Sequence, residues 1–273
     1  MSNGPKISVV TPSYNQANYL ETCLRSVAYQ SYSNIEHIVV DGGSSDGSQK
    51  ILEEYQKRDA RLQFSSGPDN GQGDAVNKGF SCASGDIIAW INSDDYYFDT
   101  EVFKFVVEFF NKNPDIDIIY GGMAYMDRDD VLTHIRIPPA YNYAKLTRIS
   151  YIGNTNTFLR RRVIDKHILD PDCHYVIDHE YMLRITKDFK AYRTKRMIAC
   201  FRVHPEAKTQ TMSLAIKDAE RLRRDQKHGI KTGLQFQFLV LWDRIFYRLS
   251  LLYTDYKFIG KWKNDAPFNK FTK

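Results

Sequence analysis

IEHIVVDGGSSDGSQKILEEYQKR, residues 35–58, holds one complete architectural unit. Ile35–Val40 is an apolar run bounded by turn residues, which reads as a buried strand. Asp41-Gly42-Gly43-Ser44-Ser45-Asp46-Gly47 is a polar loop, and Ser48–Arg58 carries its apolar residues at helical spacing. The unit recurs on both sides. Ile7–Val10 predicts a strand and Tyr19–Tyr29 a helix, then Leu62–Ser65 a short strand and Asp74–Cys82 a helix. Ile87–Ile91 predicts a further strand, Thr100–Asn111 a helix that stops before Pro114, and Ile116–Tyr120 a last strand. Such βαβα alternation predicts an α/β fold, a mostly parallel central sheet with helices on both faces. Ligands in that architecture sit beyond the carboxyl ends of the strands, so the loops there are the places to look for chemistry.

Three of these loops are rich in hydrogen-bonding side chains: Thr11-Pro12-Ser13-Tyr14-Asn15, Asp41–Gly47, and Asn92-Ser93-Asp94-Asp95. Singly, each has a bland reading, because Ser45 or Asp46 can cap the next helix and Gly42-Gly43 can turn the chain. Together they converge on one sheet edge. Adjacent aspartates at a strand end repel each other unless a cation intervenes, and a hard divalent ion such as Mn²⁺ or Mg²⁺ suits them. Asp129-Asp130 is a second such pair in a charged, turn-like stretch, and is assigned to solvent. An acid placed like Asp41 can accept a hydrogen bond from a base N–H, and Thr11, Ser13, Tyr14 and Asn15 can hold ribose or stack on a base. Pro68–Gly73 allows close backbone approach to a ligand. Neither G-x-G-x-x-G nor G-x-x-x-x-G-K-[ST] is present, which argues against a dinucleotide fold and a P-loop.

The blocks Ile7–Asn15, Val39–Gly47, Asp74-Ala75-Val76-Asn77-Lys78-Gly79 and Asn92–Asp95, in this order and spacing, resemble the family 2 glycosyltransferases. The resemblance implies the GT-A fold, a Rossmann-like three-layer sandwich, and an inverting transfer of sugar from a nucleotide-sugar donor, a UDP-sugar above all. It implies that Thr11, Pro12, Ser13, Tyr14, Asn15, Asp41, Asp74 and Asn77 serve the donor. Asp95 would ligate the metal, and Asp94 would reach ribose or sugar. Asn92 stands where many relatives carry another aspartate. Ile177-Asp178-His179-Glu180 matches the family's pattern at the start of a helix, which makes Asp178 the general base and leaves Glu180 as a competitor. As a helix-N-terminal acid, Asp178 is expected to have a lowered pKa. By the same resemblance His204 is a candidate second metal ligand, and Asn154, Thr155 and Asn156 line the acceptor side. The implied organisation is a catalytic domain over 1–229, with 1–110 as donor half and 111–229 as acceptor half, followed by a tail over 230–273.

Composition agrees with a globular protein: 273 residues, 42% hydrophobic and 26% charged. Residues 231–273 hold eight Lys or Arg and three Asp, so the whole excess of +5 lies there and the body is balanced. Nucleic-acid binding is therefore not expected. The four cysteines form no C-x-x-C pair, and the first apolar run is too short for a signal peptide, so reduced thiols and a cytoplasmic location are expected. Leu234–Tyr253 predicts an amphipathic helical extension with Gln237, Arg244, Arg248 and Asp255 on one stripe. It packs on the body, pairs in a homodimer, or docks through 234–263 to an anionic inner membrane face, which would suit a polyprenyl-lipid-linked or other glycan acceptor. Two other classes share the broad pattern: a nucleotidyltransferase, which would carry a glycine-rich basic loop after its first strand, and a non-catalytic sugar-binding scaffold.

Overall fold

The computed structural model describes residues 4–230, 232–245 and 271. The first half runs β1 (Ile7–Ser13), α1 (Ala17–Ala28), β2 (Ile35–Asp41), α2 (Ser48–Arg58), β3 (Leu62–Ser66), α3 (Gln72–Cys82), β4 (Ile87–Trp90), β5 (Tyr96–Tyr97) and α4 (Val102–Lys112). The second half adds β6 (Ile118–Met126), β7 (Leu132–Arg136), α5 (Tyr143–Leu146), β8 (Thr157–Arg160), α6 (Arg161–Lys166), α7 (Ile177–Asp188), β9 (Ala191–Arg202), α8 (Lys208–Thr211) and α9 (Leu214–Lys227).

One nine-stranded sheet is ordered β3-β2-β1-β4-β8-β6-β9-β5, with β7 paired to β6. β3, β2, β1, β4, β6 and β9 run one way, and β8, β5 and β7 run against them, so the sheet is mostly parallel as expected. Alternation along β1 divides the core. Ile7 and Val9 pack with Cys23, Val27, Phe103 and Val106 on the α1 and α4 side. Val10 packs with Val76, Phe80 and Tyr181 on the α3 and α7 side. Gly79 lets α3 lie directly on β1, because a Cβ there would collide with the Val10 side chain.

The strands extend beyond their apolar runs. β1 continues through Thr11-Pro12-Ser13 because these residues stay in register with Val39, Val40 and Asp41 of β2. β8, only four residues long, was not evident in sequence; it inserts antiparallel between β4 and β6 and joins both halves into one sheet.

The Asp129-Asp130 pair corrects its assignment to solvent. Asp129 is exposed, but Asp130 Oδ1 receives the guanidinium of Arg202 at 2.6 Å and the Tyr96 hydroxyl at 3.0 Å. Arg202 is 1% exposed and lies between the rings of Tyr19 and Tyr96. Removing one partner leaves a buried charge uncompensated, so Asp130→Ala is expected to lower folding stability by about 3 kcal/mol. Urea denaturation would show it, and a change below about 1 kcal/mol would mean that the pair is not needed.

In the tail, residues 234–245 are helical. Leu234, Phe238, Leu241, Trp242 and Ile245 are exposed, whereas Asp243 is buried and pairs with Arg148 at 2.5 Å and Lys145 at 3.5 Å. The helix is thus held to the body through a residue outside the expected polar stripe. Arg248 and Asp255 of that stripe lie outside the described residues. Among the described residues, no helix is long and apolar enough to cross a membrane.

Candidate functional site

Two cavities open at the carboxyl ends of β1, β2 and β4. The first, of about 590 Å³, is walled by Pro12, Ser13, Tyr14, Gly42, Pro68 and Asp69. The second, of about 510 Å³, reaches Trp90, Tyr125, Asn154, Thr155 and Asp178. Gln72, Asn92, Asp94 and Lys208 line both, so the cavities meet at the Asn92–Asp95 loop. Among described residues their charges are opposite. Asp69, Asp94 and Glu206 face Lys208 in the first. In the second, Asp94 and Asp178 face six Lys or Arg side chains.

The structure gives the two aspartates different surroundings. Asp95 is 1% exposed, and its oxygens accept from the Arg202 backbone N–H at 2.9 Å and the Thr155 hydroxyl at 2.8 Å. Burial, then the neighbouring Asp94 charge, pushes its carboxyl well above the usual range. Asp94 instead stands on the walls of both cavities, with Oδ2 at 3.0 Å from His204 Nε2. Arg202 ties the pair down, donating from its guanidinium to the Asp94 carbonyl at 2.8 Å. The pair sits in a tight turn between β4 and β5, closed by the Asp95 N–H donating to the Asn92 carbonyl at 3.1 Å, and the turn leaves Asp95 inside the protein and Asp94 on the cavity walls. His204 is held by this contact, by Glu206 at 3.1 Å, and by the Tyr19 ring with centroids 4.4 Å apart.

Asn92 is a hub. Its Oδ1 accepts from Gln72 Nε2 at 2.8 Å, Trp90 Nε1 at 3.1 Å and Asn154 Nδ2 at 3.3 Å, while its Nδ2 lies 3.5 Å from Asp95. An aspartate there would add charge beside the buried Asp95 and lose that donor. The neutral amide fits.

Asp178 sits in the first turn of α7, with Oδ1 accepting the His179 N–H at 2.7 Å. It lines the second cavity, close to Arg136 and Arg224. Its pKa is raised, which corrects the expected lowering: burial of the carboxylate outweighs the helix N-terminus and the two nearby cations. Nor is Asp178 the cap of its helix. Glu220, from α9, accepts the backbone N–H groups of His174, Tyr175 and Val176, which ties the segment leading into α7 to α9. Glu180 points away. It is 2% exposed, bound to Arg184, Lys227 and His228, and absent from the second cavity's lining.

The remaining predicted residues divide similarly. Tyr14 is 62% exposed on the first cavity, and the Ser13 hydroxyl, buried on its wall, has no partner among the described residues. Thr11 lies beneath, 2.9 Å from the His37 ring. Asn15, at φ 52°, clips two loops together through Ser44 and Ser45. Asp41 is buried and accepts from Ser44 and Ser66, behind Gly42. Asp46 serves two helices, accepting from the N–H groups of Ala17 and Ser48. Asp74 pairs with Lys78, and Asn77 bonds both backbone groups of Leu169, away from either cavity. Asn154 and Thr155 line the second cavity, whereas Asn156 is spent on Gly121 and Gly153.

Lys208 was missed, and Asp69 and Gln72 were foreseen only as part of the Pro68–Gly73 loop, for its backbone and not for their side chains. Lys208 donates to Gln72 Oε1 at 3.3 Å where the cavities meet, and burial lowers its pKa. The available signal was its position four residues after His204, on the same crossing.

A family model described as Glycosyl transferase family 2 matches residues 8–177. The uncharacterized glycosyltransferase RT0329 of Rickettsia typhi is 27% identical, over 94% of this chain and 87% of that protein. Local matches to EpsH of Bacillus subtilis and GlyA of Streptococcus pneumoniae span only 27% and 15% of those proteins. Among solved structures, S. aureus TarS 1–349 in complex with UDP-GlcNAc aligns at TM-score 0.60 and 18% identity, over 85% of this chain and 77% of that one. Mannosyltransferase PcManGT from Pyrobaculum calidifontis, in complex with GDP-Man and Mn²⁺, aligns at TM-score 0.60 and 17% identity, over 91% and 71%. At such identities the likeness is one of fold.

Proposed function

The chain belongs to glycosyl transferase family 2 and has the GT-A fold, and from that premise we propose an inverting transfer of sugar from a nucleotide-sugar donor, a UDP-sugar, to a hydroxyl of a glycan or lipid-linked acceptor. Cell-surface polysaccharide or glycoconjugate synthesis is the setting this reading favours. The observation that carries it is the meeting of two cavities at Asp94, with Asp178 on the wall of the second.

The nucleotide lies in the first cavity. Tyr14 offers a face for the base, Ser13 a hydroxyl for ribose, and Asp69 a carboxylate for a base N–H, while Asp41 holds the loop behind them. This cavity is acidic, so a diphosphate needs a cation to enter it. Asp94 and His204 supply the carboxylate and imidazole that fit Mn²⁺ or Mg²⁺, ions that take a few protein ligands and complete their shell with phosphate and water. Bound there, the ion would neutralise charge on the departing diphosphate. Donor complexes of the two fold neighbours, one of them with Mn²⁺, support this reading.

The acceptor enters the second cavity. Asp178 takes the proton from its hydroxyl, and the oxygen attacks the anomeric carbon as the bond to diphosphate breaks on the opposite face. A raised carboxyl pKa makes Asp178 the stronger base. Residues 1–110 supply the nucleotide cavity and 111–229 the base, but His204 and Lys208 cross from the second part to serve the donor.

Nucleoside diphosphate release from a panel of UDP- and GDP-sugars, with Mn²⁺ and with Mg²⁺, tests the proposal. Retention of anomeric configuration in the product would overturn the mechanism. The exposed apolar face at Leu234, Phe238 and Trp242 supports peripheral docking to an anionic membrane. Flotation with anionic liposomes should be lost in a Phe238→Asp, Trp242→Asp variant; equal flotation would sink that part.

A further inference from the structure

The second cavity carries a charge pattern that transfer to a neutral sugar does not require. Arg136 from β7, Arg148 after α5, Arg221 and Arg224 from α9, and Arg244 from the tail helix join Lys208 on its wall. The carboxylates that balance some of them are outside the lining: Asp243 takes Arg148, Asp218 takes Arg221 and Asp225 takes Arg224. Lys208 and Arg244 have no carboxylate partner among the described residues. Five of the six cations line only this cavity, so a donor diphosphate in the first does not account for them. Cations gathered on a concave wall from separate elements repel one another and focus a positive field into the space they enclose. An anion relieves that repulsion, and guanidinium forks match the paired oxygens of phosphate and carboxylate.

We propose that the acceptor is anionic, carrying a phosphate or carboxylate close to the hydroxyl that is glycosylated. The inference rests on the glycosyltransfer reading and narrows its acceptor class. Arg136 and Arg224 both act electrostatically on Asp178, which puts the anion's partners beside the base. A group bound there would also fix the hydroxyl relative to Asp178, since a bidentate contact restricts rotation.

Isothermal titration decides it. Protein saturated with Mn²⁺ and UDP, or with GDP if the donor panel selects it, is titrated with glucose 1-phosphate, glucuronate and methyl glucoside. At least one anionic probe should bind about tenfold more tightly than methyl glucoside, and its affinity should fall as salt rises from about 50 to 500 mM. The Arg221→Gln, Arg244→Gln variant changes two exposed side chains of this cavity. It should lose most of that preference while UDP still binds. Equal affinity for all probes, or a preference unchanged in the variant, overturns the inference. A preference for phosphate alone or carboxylate alone supports it and identifies the anion. Donor turnover with equal probe binding would sink the anionic acceptor and leave glycosyltransfer standing. Failure of nucleotide release from every donor would sink glycosyltransfer instead, and the probe titration would still read the charge preference of the cavity.

Discussion

Asp178→Asn is expected to lower sugar transfer by about 10³-fold while donor binding stays nearly unchanged, because general-base catalysis contributes on that order. The amide keeps the size of the side chain and can still accept the His179 N–H, so packing at the start of α7 is preserved. It cannot take the acceptor proton. The measurement is single-turnover transfer beside donor titration, and loss of donor affinity in parallel with rate would assign Asp178 to the donor. The pH profile gives a second readout. Since burial raises the carboxyl pKa, the base-competent anion is lost as pH falls through that raised value, so the acid limb should lie above the range of an ordinary aspartate. The limb should vanish from the residual activity of the variant. An identical acid limb in wild type and Asp178→Asn would show that another group titrates.

Asp94→Asn is expected to abolish the part of donor affinity that depends on Mn²⁺, by at least about 100-fold, more than follows loss of an outer partner of a metal site. Without metal the sign should reverse. The nucleotide cavity is lined by three carboxylates and one lysine, so removing one negative charge should let the diphosphate bind slightly better than in wild type. Asp95→Asn should behave differently. Its carboxylate accepts from Arg202 and Thr155 inside the protein, so the loss should appear as lower folding stability. Metal-dependent donor binding lost in Asp95→Asn and kept in Asp94→Asn would restore the assignment that the sequence suggested.

The two aspartates show where reading a sequence stops. Asp94-Asp95 was legible as a candidate pair from its place after an apolar run, yet nothing local distinguishes adjacent residues of one type. The choice is made by groups far along the chain: Thr155 and Arg202 draw Asp95 inward, and His204 meets Asp94 across 110 residues. Asp129-Asp130 misled for the same reason. Its surroundings are charged and turn-like, but Asp130 neutralises the arginine that anchors the other pair. Lys208 had only its closeness to His204 in sequence as a signal, and Glu220 and the arginine wall left none, since each lies on an exposed face or in a polar stretch whose neighbours in space come from other elements.

By itself the sequence determined the alternation of strand and helix, the parallel core, and the loops that line the two cavities. These follow from local periodicity and from the rule that strand ends face the ligand, so a window of about ten residues suffices for each. Only the tertiary structure decided which side chain of each loop faces a cavity, which way the Asp178 pKa moves, and that the two cavities differ in charge. Those outcomes are sums over groups brought together by folding. A carboxylate's burial and a wall's net charge belong to the assembled site, not to any stretch of chain.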